Sequence, residues 1–194
     1  MTRILGILGA GLLVLGILFF AYTRNQPTTQ TDGEEDLFAR GEYLCREARW
    51  DEARRVLREF LLDNPEHPGA HFYLGRSYLL WKDDFRPAIA EGELQTALAL
   101  YHENGGTHHI ERFSDEYFEL ICNIESAKVC MEQFTKLLDA QIPARHLSPI
   151  VLRARRYIEA ARDINPTYPE IAPFTELVNM MTAIVAENSE STIP

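Results

Sequence analysis

The pattern between Trp50 and Pro65 most constrains how this chain can fold. Its residues, WDEARRVLREFLLDNP, are mostly good helix formers, their apolar side chains recur along one edge, and Asn64 followed by Pro65 ends the helix. A single amphipathic helix of this length is only marginally stable in water, so its apolar edge must pack against other helices. The pattern therefore predicts an all-α fold.

The neighbouring segments supply helices for this packing. Residues 36–49 place apolar side chains near helical spacing, and Asp51 is positioned to cap the next helix across a tight turn. Two helices joined this closely pack as an antiparallel hairpin. Residues 69–85 and 86–102 have the same amphipathic character and predict a second hairpin.

The two predicted hairpins repeat with a fixed period of 34 residues. The matching positions are Gly41 with Gly75, Leu44 with Tyr78 and, with one extra residue between them, Ala53 with Ala88. This period, with a small residue in each helix and a proline at the end, resembles the tetratricopeptide repeat. The resemblance implies an α-solenoid of antiparallel helix hairpins, in which the small residues lie where paired helices nearly touch.

A third copy of the pattern lies about three periods further along the chain. Its residues Ala154, Ile158, Ala161 and Pro166 stand at the positions of Ala53, Leu57, Phe60 and Pro65. Ser148 as the N-cap and Pro149 in the first turn mark the start of this helix. Residues 169–187 are then expected to form the helix that covers the open end of the stack.

The middle of the chain departs from the repeat. Residues 103–115, ENGGTHHIERFSD, break the pattern where a repeat helix should run, and residues 115–141 predict one long helix. The resemblance therefore covers residues 36–101 and 148–187, with a stretched or degenerate repeat between them.

The N-terminal residues 4–22 form an uncharged apolar run, ILGILGAGLLVLGILFFAY, that is long enough to cross a membrane as a helix. The run is longer than the apolar part of a usual signal peptide, so an uncleaved transmembrane helix is expected. The predicted organisation is a transmembrane signal-anchor at 1–23, a flexible linker at 24–36, a repeat-like helical domain at 37–187 and a disordered tail at 188–194.

The charges flanking this run predict its orientation. Arg3 and the α-amino group precede it and Arg24 follows it, which favours a cytoplasmic N-terminus and an extracytoplasmic helical domain, periplasmic if the source is bacterial. Glycines within the run would let two such helices approach closely, so a homo-oligomer is a further expectation. These glycines are Gly6, Gly9, Gly11 and Gly16.

Charge also restricts the partners. The formal net charge of −10 argues against nucleic acids and anionic membrane surfaces as main partners. Several arginines nevertheless cluster late in the chain: Arg145, Arg153, Arg155, Arg156 and Arg162. Salt bridges to the acidic residues of 115–139 are the expected role of this cluster, and binding of an acidic partner stays open as the alternative.

Histidines provide the main candidate for chemistry. His102, His108 and His109 flank the pair Gly105 and Gly106, but their spacing follows no metal-site pattern. Solvated histidines in a loop are therefore the preferred interpretation. The alternative is a metal-binding or enzymatic helical domain that uses this loop.

Other catalytic signals are weak. Cys45, Cys122 and Cys130 lie in apolar helical patterns, where cysteine usually acts as a small hydrophobic residue, and a disulfide from Cys45 to either of the others stays open. The sequence has no glycine-rich phosphate loop, no nucleophile elbow and no paired-carboxylate signature. We therefore expect no enzymatic activity, no cofactor and no metal.

The resemblance implies a membrane-anchored scaffold that binds a peptide or helix of a partner protein, in cell-envelope assembly if the source is bacterial. The groove positions that it implies are Phe38, Glu42 and Cys45 in the first hairpin and Phe72, Arg76 and Leu79 in the second. Some repeat proteins bind C-terminal carboxylates through Lys and Asn at such positions. Phe38 and Glu42 stand there instead, so a partly apolar peptide is expected. Ordinary packing of Phe38 and Phe72 between helices stays open as the alternative.

Overall fold

The computed structural model describes the backbone of residues 32–190 and the side chains of residues 37–188. The helices of these residues are joined without any strand among them, which confirms the all-α part of the predicted fold. Among the described helices, none combines the length and the apolar composition that crossing a membrane requires. The predicted anchor at 1–23 lies outside the described residues.

Seven α-helices and one short 3-10 helix follow one another along the described residues. They are α1 (Asp32–Arg46), α2 (Trp50–Asp63), α3 (Pro68–Leu80), the 3-10 helix (Lys82–Asp84), α4 (Pro87–Glu103), α5 (Asp115–Asp139), α6 (Ala144–Ile164) and α7 (Ile171–Glu190). From α2 onward each α-helix packs against the next, and α3 also packs against α5. Because α1 begins at Asp32, the end of the predicted linker is helical.

Helices α1 and α2 form an antiparallel hairpin. Phe38 lies against Phe60, with ring centroids 5.6 Å apart, and Gly41 lies against Leu57 about one turn further along. A Cβ atom on Gly41 would be 2.6 Å from Leu57 Cδ2, so the two helices leave no room for a side chain there. Ala53 has no exposed surface. Gly41 thus takes the position that the sequence predicts for it, and Ala53 is buried as the prediction requires.

Helices α3 and α4 form a second hairpin with a different register. Gly75 lies against α4 as predicted, since a Cβ there would be 2.8 Å from Leu94 Cγ and 3.0 Å from the Ala90 carbonyl oxygen. The prediction that Ala88 makes the close contact is wrong, because Ala88 is exposed and Ala90 is buried instead. The 3-10 helix before α4 lengthens the connection, so Ala88 falls in the first turn of α4, outside the contact.

Helices α2 and α6 have the same local structure, as the third copy of the pattern predicts. The equivalent residues are all buried: Ala53, Leu57 and Phe60 in α2, and Ala154, Ile158 and Ala161 in α6. Each helix ends at an asparagine whose backbone N–H donates to the carbonyl four residues earlier, at 3.1 Å in both. The asparagine before a proline therefore ends both helices in the same way.

Two predicted helix starts are wrong. Helix α6 begins at Ala144 after Pro143, so Ser148 is not its N-cap; the Ser148 hydroxyl donates to the Ala144 carbonyl at 3.3 Å, and Pro149 lies inside the helix. Asp51 lies in the first turn of α2, where it faces Arg55 across 3.3 Å, and the cap position of α2 has no side-chain hydrogen bond. In both cases a side chain suited to capping bonds within the first turns instead.

Candidate functional site

The six predicted groove residues differ in their exposure. Phe72 has no exposed surface, and its ring packs against Phe113 and Phe118 with centroid distances of 5.6 Å to each. Leu79 is also buried. The interpretation of Phe72 as a packing residue is therefore correct for this conformation, and a partner would reach neither Phe72 nor Leu79 without a rearrangement.

Phe38 is half-buried among aromatic rings. Its ring centroid lies 4.4 Å from that of His67 and 6.2 Å from that of Tyr73. Tyr73 in turn lies 5.3 Å from Phe72, so Tyr73 links Phe38 to Phe72. We call the surface formed by Phe38, Glu42, Gly69, Phe72 and Tyr73 the α1–α3 face. Its residues come from the first helix of each of the two N-terminal hairpins.

The charged groove residues are already paired within the chain. Glu42 is 19% exposed and lies 3.1 Å from Arg112 Nε, and Arg76 Nε lies 3.6 Å from Glu125 Oε1. The second distance is longer than a hydrogen bond, and within the described part of the chain neither Arg76 Nε nor Glu125 Oε2 has a hydrogen-bond partner. Lys128 Nζ lies 3.4 Å from the buried Glu125 and supplies a further positive charge.

The connection between α4 and α5, residues 104–114, lies across the α1–α3 face, and we call it the covering segment. Ile110 is only 1% exposed, and the backbone at His108 approaches the start of α3 so closely that a Cβ on Gly69 would be 2.6 Å from the His108 carbonyl oxygen. Gly69 therefore has to be a glycine, because any side chain there would displace the covering segment. Gly105 and Gly106, with φ of +66° and +89°, allow the chain to turn toward this face.

Arg112 joins the covering segment to both hairpins. Its Nη2 donates a hydrogen bond to the Tyr73 hydroxyl at 2.5 Å, and its Nε pairs with Glu42 of α1. The guanidinium carbon also lies 5.7 Å from the Tyr73 ring centroid and 5.1 Å from that of Phe113. Burial raises the pKa of the Tyr73 phenol, so the hydroxyl stays protonated and accepts the arginine N–H.

One of the three loop histidines, His108, does not match the predicted interpretation, whereas His102 and His109 are exposed as predicted. His108 is buried, stacked on Phe118, and is therefore not a solvated residue. Its Nδ1 accepts a hydrogen bond from the Ile110 N–H at 3.0 Å, and its Nε2 lies 3.5 Å from Asp115. His109, in contrast, is exposed and stacks on His67 at 4.6 Å.

The histidines of this loop are not arranged as ligands of one metal ion. Both ring nitrogens of His108 already have partners within the chain. His102, near the end of α4, pairs with a different residue, Glu119 of α5, at 3.7 Å. Among the described residues, no three His, Cys, Asp or Glu side chains are grouped as a metal ion would need.

The cysteines are separate from one another. Cys45, Cys122 and Cys130, all within the described residues, are buried free thiols, and Cys122 and Cys130 lie on the single continuous helix α5. Burial raises the pKa of Cys45 and of Cys130 to about 12, so these thiols stay protonated and poorly reactive. The open disulfide from Cys45 does not form in this structure.

The late arginines pair differently from the prediction. Arg153 lies 3.0 Å from Glu91 of α4 and donates to Gln133 at 3.1 Å, so its carboxylate partner is outside residues 115–139. Arg155 donates to Thr182 of α7 at 2.9 Å. A shallow groove between α6 and α7 has Ile158 and Val178 among its lining residues, with Arg162 beside them. Its lining offers two guanidinium groups but no buried polar side chain aimed into it.

Sequence reasoning missed the residues that organise the α1–α3 face. Arg112, Ile110 and Tyr73 were not among the predicted groove residues, although two apolar side chains, Ile110 and Phe113, within an otherwise polar loop were a usable signal. Apolar residues at such positions indicate that a loop packs back on the core.

The chain matches no family model, no curated protein and no solved structure. The likeness to tetratricopeptide repeats therefore depends on the residues of this chain alone. The function has to be argued from its own contacts.

Proposed function

We propose that this chain is a membrane-anchored scaffold whose helical domain, built from tetratricopeptide-like hairpins, holds a peptide or helix of a partner protein. The order of helix packing supports the repeat arrangement. Each helix from α2 onward packs on the next one, and contacts also join alternate helices, as between α3 and α5. Stacking of neighbours in chain order is typical of solenoid proteins.

Contacts between side chains of alternate helices support the same arrangement. The Cys45 thiol of α1 lies 3.7 Å from the Tyr73 carbonyl oxygen of α3, and Glu91 of α4 accepts hydrogen bonds from Arg153 and Tyr157 of α6. In a stack of hairpins, the first helices of successive hairpins lie side by side, as do the second helices. These pairs fit that expectation.

The observation that carries the binding role is the occupancy of the α1–α3 face. This face holds a connecting segment of the chain through an ion pair of Glu42 with Arg112, a hydrogen bond that Tyr73 accepts from Arg112, and aromatic contact of Phe72 with Phe113. A surface that can bind backbone and side chains of one such segment has the features needed to bind another. We therefore assign partner binding to this face and to Arg76 beside it.

The membrane attachment comes from the apolar run at residues 4–22, which the sequence predicts to span a membrane. In this proposal the helical domain projects outside the cytoplasm and, in a bacterium, takes part in assembling the cell envelope. Tethering keeps the domain at the membrane surface and so raises the local concentration of membrane-bound partners.

Site-specific photocrosslinking in intact cells of the source organism tests the binding role. A photoreactive residue replaces Arg76, and in a matched control it replaces Glu59, an exposed residue of α2. We expect a discrete crosslinked partner from position 76 and none from position 59. The same partner at both positions, or at position 59 alone, would show that the α1–α3 face is not the binding surface.

A further inference from the structure

We propose that the covering segment is an internal ligand of the α1–α3 face, and that the partner supplies a peptide in which an arginine precedes an aromatic residue. This inference rests on the proposed function, because it names the partner class for the same surface. The covering segment carries the same chemistry in its sequence Ile110-Glu111-Arg112-Phe113.

The covering segment lies on the face as a bound peptide would. Residues 107–110 have no helix or turn, and their side chains alternate in exposure: His108 and Ile110 are buried, whereas Thr107, His109 and the following Glu111 are exposed. Alternate side chains of this stretch therefore pack inward, and a turn closed by the Phe113 N–H and the Ile110 carbonyl then places Arg112 and Phe113 on the face.

The face selects for arginine at one position. If Arg112 left, the mostly buried Glu42 carboxylate would lose its positively charged partner, and the fully buried Tyr73 hydroxyl would lose its donor and keep only its hydrogen bond with Glu42. Unpaired buried polar groups are unfavourable, so a replacing peptide has to bring donors to the same place. A guanidinium can serve the hydroxyl and the carboxylate together, whereas a lysine is a single point charge.

The face also accepts a peptide backbone. Gly69 has no side chain, and the space that its Cβ would fill is taken by the His108 carbonyl oxygen. Phe113, which follows Arg112 in the chain, packs edge-on to Phe72 with ring centroids 5.6 Å apart. Phe72 thus provides an aromatic contact for the residue after the arginine. A partner peptide of the same order can therefore follow the same path.

Two features of the covering segment lower the free energy needed to displace it. His109 has a φ of +60°, which is unfavourable for a residue with a Cβ atom, and Arg112 keeps 41% of its side-chain surface exposed. Release of the segment leaves α4 and α5 connected by the same chain without unfolding either helix. Local opening of this kind needs less free energy than global unfolding.

The test uses a labelled synthetic peptide with the sequence of residues 106–115, GTHHIERFSD, titrated into the full-length protein in mild detergent. In wild type the tethered segment competes with the peptide at high effective concentration. Arg112→Ala weakens that competitor, so we expect peptide affinity to rise roughly tenfold or more. The control Glu111→Ala, at an exposed residue of the same segment, should bind like wild type.

A second substitution locates the binding. Combining Arg112→Ala with Glu42→Gln removes the carboxylate that the arginine of the peptide needs, and peptide binding should fall back to the wild-type level. A folded Arg112→Ala protein that binds the peptide no better than Glu111→Ala would overturn the inference. So would a double variant that binds as well as Arg112→Ala alone.

Hydrogen exchange on the wild-type protein keeps the inference testable even if Arg112→Ala does not fold. The Phe113 N–H donates to the Ile110 carbonyl at 2.9 Å within the segment. We expect this amide to exchange far faster than the amides in the middle of α3, and exchange at the same rate would refute displacement. The two proposals can fail separately. If Arg112→Ala binds the peptide but photocrosslinking from position 76 captures no partner in cells, the covering segment is still an internal ligand and the scaffold function is rejected.

Discussion

A matched pair of glycine substitutions tests the packing on which the α1–α3 face depends. Gly75 in α3 and Gly92 in α4 both lie inside helices of the second hairpin, and the same change to alanine meets opposite surroundings. At Gly75 the new Cβ would lie 2.8 Å from Leu94 Cγ and 3.0 Å from the Ala90 carbonyl oxygen. At Gly92 it would meet no atom of the described residues within 4 Å.

The expected free energies follow from these distances. Replacing glycine by alanine inside a helix stabilises it by roughly 0.5–1 kcal/mol, because the unfolded chain loses conformational freedom. At Gly92 nothing opposes this gain. At Gly75 the clash involves backbone atoms that cannot rotate away, and overpacking of this kind costs about 1–3 kcal/mol. The two variants should therefore differ in their free energy of unfolding by roughly 1–3 kcal/mol.

Urea unfolding of the full-length protein in mild detergent, followed by circular dichroism, measures this difference. We expect the midpoint of Gly92→Ala to lie at or above that of wild type and the midpoint of Gly75→Ala to lie below it. Equal midpoints for the two variants would mean that α3 and α4 do not approach each other as closely as described.

Two further predictions concern stability. Ala53→Trp should destabilise the protein by about 1–3 kcal/mol or more because Ala53 is fully buried between α1 and α2, whereas Leu62→Trp at an 81% exposed position should change the melting temperature little. Burial lowers the pKa of His67 to about 4, with the nearby His109 adding to the effect. The unfolded chain therefore binds a proton first, and stability that is fully present above pH 6.5 should fall by up to about 3 kcal/mol as the pH drops to 4. His67→Asn keeps a side chain that can accept the Ala70 N–H, so the variant should lose part of this pH dependence; an unchanged slope in urea titrations would contradict the assignment.

Local sequence signals predicted the helices well because each signal acts within a few residues. Asn64 before Pro65 and Asn165 before Pro166 end α2 and α6 with the same backbone hydrogen bond. Gly41 and Gly75 were found from the period, because a close helix contact needs a residue without a side chain. A helix end at Asn-Pro and a glycine at a close helix contact can both be recognised from the residue types alone.

Register between helices was less predictable. The expected contact at Ala88 fails because the connection before α4 contains a 3-10 helix, and Ala90 takes the buried position. A period read from the sequence assumes equal connections, and a difference of a few residues changes which side of a helix faces its neighbour. The prediction of Ser148 as an N-cap failed for a related reason, since a serine hydroxyl can also donate to a carbonyl inside a helix.

The covering segment was the main feature that sequence reasoning missed. Its composition is that of a solvated loop, and the groups that bury it lie far away in the sequence, in α1 at Glu42 and in α3 at Gly69 and Tyr73. No local rule connects Arg112 to these residues. His108 was wrongly predicted to be solvated for the same reason, because its burial depends on Phe118 of α5.

Two positions that the repeat resemblance assigned to a groove lie under the covering segment, since Glu42 meets Arg112 and Phe72 meets Phe113. A third, Arg76, faces Glu125 of α5 instead. What lies over Glu42 and Phe72 is decided by the connection between α4 and α5, which the repeat pattern does not contain. These two positions are therefore packing residues while residues 104–114 stay in place, and in our proposal they become binding residues when a peptide with the same chemistry displaces that segment.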